Sequence, residues 1–131
     1  MIQGIDWRRN KRTIILGIST HCHFCTESAP FYRRLQSEVG EGVKVVAVLS
    51  EPVEEAANYL TAEGVKPDGI KQVLLQRLGV RGTPTMMLVD ERGRVSKVWA
   101  GKVQDADQNK VLEEIRSAAG IRSKEKQESG D

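Results

Sequence analysis

Cys22 and Cys25 are the two cysteines of this chain, and they stand in the run His21-Cys22-His23-Phe24-Cys25, which also holds both of its histidines. Sulfur and imidazole together allow three kinds of chemistry: metal coordination, a structural cross-link, or reversible disulfide exchange. A cross-link over so short a spacing does little to hold a domain together, because the entropy it removes from the unfolded chain grows with the size of the loop it closes. A zinc or copper site on the His-Cys-His-x-Cys cluster has the right ligand types. It has no second CxxC and no distant HxxxH to complete it, and histidines flanking a cysteine this tightly converge poorly on one tetrahedral ion. Exchange between the two sulfurs is the leading reading, with metal binding and a non-catalytic binding module as alternatives.

Such a pair works only if a fold holds it. With 131 residues the chain is long enough for one domain with a core and too short for two ordinary ones. Hydrophobic residues at 39% and charged ones at 29% exclude a wholly disordered chain, so packing must carry the fold. Twenty Lys and Arg against eighteen Asp and Glu leave a net charge of +2 spread along the sequence, which gives nucleic-acid binding little support. The densest basic stretch, Arg8 to Arg12, is broken by Asn10 and reads as a solvated leader over residues 1–12. No apolar run reaches the length of a membrane span, and Met1 is followed by no signal-peptide core. The chain as written is therefore expected to make no membrane contact and to act as a monomer, with a leader or anchor ahead of Met1 left open.

The elements follow from periodicity. Thr13–Ser19 and Val43–Leu49 are apolar runs rich in β-branched residues, which suits strands covered on both faces. Between them, His23 to Val39 carries Phe24, Phe31 and Leu35 on one helical face, and Pro30 should kink that helix. A second helix starts near Pro52 and repeats Val53, Ala56, Ala57 and Leu60 until Gly64. Residues 65–70 look irregular, and Lys71–Leu78 reads as a short helix stopped by Gly79. Thr85–Val89 and Val95–Ala100 form an antiparallel hairpin around Asp90–Gly93. Val111, Leu112, Ile115 and Ala119 mark a closing helix, and residues 121–131 read as a polar, disordered tail. The sum is an α/β domain over residues 13–120, a mixed sheet of about four strands with helices on both faces.

That order of elements is the thioredoxin fold, and three local features agree with it. The CxxC lies directly after the first strand and opens a helix; Pro30 stands five residues beyond Cys25; and Gly79-Val80-Arg81-Gly82-Thr83-Pro84-Thr85 precedes the third strand. On these residues the chain resembles the thioredoxin-like superfamily, most closely the thiol-disulfide oxidoreductases of the thioredoxin and TlpA-like type. The resemblance covers Thr13 to about Ala119. Two positions depart from it: His21 stands where a Trp is usual before the first cysteine, and Leu16 where thioredoxin keeps a buried Asp.

The resemblance implies an enzyme that exchanges a Cys22–Cys25 disulfide with protein thiols and disulfides, needs a redox partner protein and takes no cofactor. At the start of a helix, unpaired N–H groups stabilise a thiolate on Cys22, the attacking sulfur; Cys25, a turn further in, resolves the mixed disulfide. A protonated His23, and to a lesser degree His21, would favour that thiolate and raise the potential above that of thioredoxin. Phe24 is expected on the lip of the substrate site. The resemblance also implies a cis peptide before Pro84, with Thr83 offering its backbone to an extended substrate chain. Thr20, two residues before Cys22, is too close for the threonine of a peroxide-reducing site. TlpA-like relatives generally work outside the bacterial cytoplasm, so that compartment is expected here, with the cytoplasm as the alternative. Potential, partner and access, rather than motif, set the direction of electron flow.

Overall fold

The computed structural model describes residue 2 and residues 4–120; the expected polar tail lies outside the described residues. Its centre is a five-stranded mixed sheet in the order β3-β2-β1-β4-β5. β1 (Thr13–Gly17) runs parallel to β2 (Lys44–Leu49) with Ile15 opposite Val46, and antiparallel to β4 (Thr85–Val89) with Ile15 opposite Met87. Every residue of β1 and β4 is buried, as two-sided apolar runs require. β4 turns back into β5 (Val95–Ala100) through a turn whose donors Arg92 N–H and Arg94 N–H both end on the Asp90 carboxylate.

The fifth strand corrects the expectation of about four. β3 (Gly69–Gln72) pairs parallel to β2, and only Leu75–Leu78 of the expected helix is helical, as a 3-10 turn ending on Gly79 at φ 76°. Short apolar runs are ambiguous between helix and strand, and here the open edge of β2 decides. Asp68 starts the pairing: its carboxylate accepts the Val45 N–H at 2.8 Å and its own N–H donates to the Val45 carbonyl at 2.7 Å.

The helix after β1 does not run unbroken to Val39. It divides at Ser28 into α2 (His23–Glu27) and α3 (Ala29–Val39), because Pro30 in the first turn of α3 has no N–H to continue the ladder. Ser28 spans the break, its hydroxyl donating to the Phe24 carbonyl at 2.7 Å and its carbonyl accepting the Tyr32 N–H at 3.0 Å.

Helices occupy both faces unequally. β1-to-β2 and β2-to-β3 are successive crossovers in one direction, so right-handed connections put α3 and α4 (Val53–Ala62) on the same side. There Leu35, Ala56, Leu60 and residues Val111, Leu112 and Ile115 of α5 (Gln108–Ala118) pack on Ile14, Leu16, Val45 and Leu88. The other face is covered by the 3-10 turn and by the first residues of the chain. Ile2 is buried there, and Trp7 of α1 (Trp7–Asn10) packs against the same cluster. Met86 and Met87 fall in opposite layers, as strand alternation demands. No described helix is long and apolar enough to cross a membrane.

Candidate active site

The C-terminal end of β1 delivers the chain to Cys22, which caps α2 in an extended conformation, φ −106° and ψ 114°. From that position its Sγ accepts the N–H of Cys25 at 3.1 Å. Ser, Thr, Asp or Asn usually makes this bond at a helix start; here sulfur does. The Cys22 thiol in turn donates to the carbonyl of Thr83 at 3.5 Å, across 61 residues of sequence. Both cysteines are free thiols, Cys22 half-buried and Cys25 only 2% exposed.

The two sulfurs are held in opposite states. Burial works against ionisation of Cys22, but hydrogen bonds from the Cys25 thiol, the Thr83 side chain and the N–H groups of Cys25 and Phe24 outweigh it and bring its pKa below the ordinary value. Burial pushes Cys25 up to about 12, and its hydrogen bond with Cys22 acts in the same direction. One sulfur is thus prepared to become a thiolate and the other to stay a thiol. None of the groups acting most strongly on Cys25 is a carboxylate. Leu16 is fully buried in the core and supplies packing where thioredoxin has its Asp.

Thr83 and Pro84 lie against this pair, joined by a cis peptide bond. Pro84 is buried, and its carbonyl accepts the Gly101 N–H at 2.8 Å, which leaves the half-buried Thr83 facing Cys22. Phe24 is 56% exposed and meets the ring of His23 edge-on at 5.5 Å. Both imidazoles are engaged by carboxylates: His23 Nε2 lies 3.1 Å from Glu27, and His21 Nε2 lies 3.9 Å from Glu55. Glu27 also takes Lys102 Nζ at 3.3 Å, and the hydrogen bond from Lys102 does most to hold its carboxyl below the usual range. Burial and hydrogen bonds act most strongly on Cys22, and no imidazole is among them. Among the described residues no group of three or more His, Cys, Asp or Glu is placed to hold a metal ion.

Other residues at the site carry no mark in the sequence. The Thr20 N–H donates to Glu51 and its hydroxyl to Glu55, both at 2.8 Å, and the Tyr59 hydroxyl bonds Thr26 at 2.8 Å. Burial raises the pKa values of Tyr32 and Tyr59; the charge of Cys25 adds to both, and hydrogen bonds with Ser28 and Thr26 respectively act the other way. The four-residue spacing of Glu55 and Tyr59 puts them on one face of α4, but nothing in the spacing says what that face meets.

The thioredoxin-like architecture recurs in solved structures. A proposed thiol:disulfide interchange protein DsbE from Chlorobium tepidum superposes with a TM-score of 0.73 at 22% identity, over 86% of this chain and 83% of that one. StoA from Bacillus subtilis gives 0.64 at 19% identity, over 79% and 81%. A secreted Mycobacterium tuberculosis disulfide oxidoreductase homologous to E. coli DsbE gives 0.66 at 13% identity, over 82% of each chain. No curated protein sequence matches this chain significantly. The Redoxin family profile matches residues 5–115, which include every strand and the whole Cys22–Pro84 site, and the chain belongs to the Redoxin family.

Proposed function

We propose that this protein is a thiol-disulfide oxidoreductase acting on protein substrates, with Cys22 as nucleophile and Cys25 as resolving thiol. The observation that carries the reading is the opposed ionisation of the two sulfurs around the 3.1 Å contact between Cys22 Sγ and the Cys25 N–H. In the reducing direction the Cys22 thiolate attacks one sulfur of a substrate disulfide, forms a mixed disulfide and expels a substrate thiolate. Cys25 then attacks Cys22 Sγ and releases the second substrate sulfur, and the thiol proton of Cys25 passes to a departing thiolate or to solvent. Two electrons move to the substrate, and the protein keeps a Cys22–Cys25 disulfide. Run backwards, the same steps oxidise a substrate dithiol.

Thr83 and Pro84 form one wall of the substrate site and Phe24 the other, so an extended segment can lie between them with its sulfur over Cys22. His23 and His21, which flank Cys22 beside Glu27 and Glu55, are the side chains assigned to tuning the potential of the pair. A redox partner protein restores the starting state. The test is reduction of a small disulfide-bonded protein by the dithiol form, with Cys22→Ala alongside. Turnover lost in the variant supports the reading, whereas equal rates would refute it.

A further inference from the structure

The segments entering and leaving Cys22 are both held by side chains at and just ahead of α4. Glu55 and Tyr59 are one turn apart on α4, and Glu51 stands in the bend just ahead of that helix. Glu51 and Glu55 accept from the N–H and hydroxyl of Thr20, in the loop entering Cys22, and the Tyr59 hydroxyl shares a hydrogen bond with that of Thr26, in the turn leaving it. The Thr26 hydroxyl and N–H both reach the Cys22 carbonyl, at 3.4 and 3.2 Å. Thr26 has one hydroxyl proton, so donation to Cys22 leaves it to accept from Tyr59.

The geometry points to Tyr59 as a positioning residue for the nucleophile: by fixing the Thr26 hydroxyl on the Cys22 carbonyl, it keeps Cys22 at the angle at which its sulfur receives the Cys25 N–H. This inference rests on Cys22 being the nucleophile. The Thr26 N–H already holds this carbonyl, and the hydroxyl adds a second hold that narrows the backbone settings of Cys22, and so the range over which its sulfur stays in line with its donor. Tyr59 is also close enough to feel the cysteine charges, so its hydroxyl and the sulfurs share one electrostatic environment.

The test uses changes that alter no charge. Alkylation of Cys22 by iodoacetamide is followed across pH in the reduced full-length protein for wild type, Tyr59→Phe, Thr26→Val, the double variant and Thr26→Ser. At pH below the ionisation of Cys22, Tyr59→Phe and Thr26→Val should each react about two- to fivefold more slowly, a share of what one neutral hydrogen bond is worth. The double variant should be no slower than the slower single one, because both changes cut the same chain. Thr26→Ser should stay near wild type, and all rates should converge once Cys22 is fully ionised. Losses that multiply in the double variant, or a deficit that persists at high pH, would overturn the inference in favour of altered access. Wild type and Tyr59→Phe equally fast at every pH would overturn the positioning role of Tyr59 alone. Wild-type Cys22 no faster than a free cysteine would remove the nucleophile assignment beneath it.

Discussion

Cys22 Sγ lies 3.1 Å from the backbone nitrogen of Cys25, so the first sulfur is the N-cap of the helix that carries the second. The CxxC spacing places the second cysteine's N–H where a capping side chain finds its donor. A thiolate gains from that bond and a disulfide sulfur gains less. The reduced form is therefore favoured by the geometry that also brings the two residues together.

Loss of either sulfur should have a distinct signature. Cys22→Ser should lower exchange with a protein disulfide by roughly three orders of magnitude or more, since the covalent step disappears. Cys25→Ser should still attack and then stall, accumulating a mixed disulfide visible by mass spectrometry. Equal adduct formation by both variants would contradict the assigned roles.

The reduction potential should change slope with pH. Below the ionisation of Cys22, two protons accompany two electrons and the potential falls by about 59 mV per pH unit; above it one proton remains and the slope halves to about 30 mV. The break should lie under the ordinary thiol value of 9.0, and the shallower region should extend toward the Cys25 value of about 12. Equilibration with glutathione at a series of pH values measures it. A single steep line through pH 9 would show that Cys22 is not acidified.

Stability should depend on pH differently in the two redox states. Cys22, with its folded value lowered, stabilises the dithiol protein above its unfolded value of 9.0, a gain lost as pH falls through the folded value. Cys25, with its folded value raised, gives stability that is intact below 9.0 and lost as pH rises toward about 12. The urea midpoint of the dithiol form, referred to the disulfide form, should rise toward pH 9 and fall beyond it. Tyr32 and Tyr59 also cost stability at high pH, through burial in both forms and through the charge of Cys25 in the dithiol form alone, which deepens the fall beyond pH 9. A flat difference between the forms would contradict both assignments.

Leu16 should behave as a core residue. It is fully buried on β1 opposite Ala47 and Met86, and Leu16→Ala should cost about 2–5 kcal/mol through lost transfer energy and the cavity left behind. Chemical denaturation gives the figure. A cost under about 1 kcal/mol would show that the site collapses or is hydrated, and that its apolar character is not structural.

Parts of the fold that depend on local pattern are legible in the sequence. The apolar runs at Thr13–Gly17, Lys44–Leu49 and Thr85–Val89 are strands that stay buried on both sides, and the turn at Asp90–Gly93 joins an antiparallel pair as its composition implied. Gly69–Gln72 was not readable, because four residues with one strong apolar side chain fit either helix or strand until an open edge is present to pair with them. The break at Ser28 was half legible: Pro30 foretold a disturbance, and the hydrogen bonds of Ser28 set where it falls.

At the site the same division holds. By itself the sequence determined that two sulfurs share a helix start three positions apart, because local backbone geometry places such residues on one side whatever surrounds them. Only the tertiary structure decided that Thr83 closes on Cys22, that Glu27 and Glu55 engage the histidines, and that Tyr59 reaches Thr26. Apart from the Glu27 pair one turn along α2, these contacts join residues more than thirty positions apart. Their existence turns on strand register and on which face of α4 meets the sheet, and both are outcomes of packing the whole chain at once rather than properties of any short stretch of it.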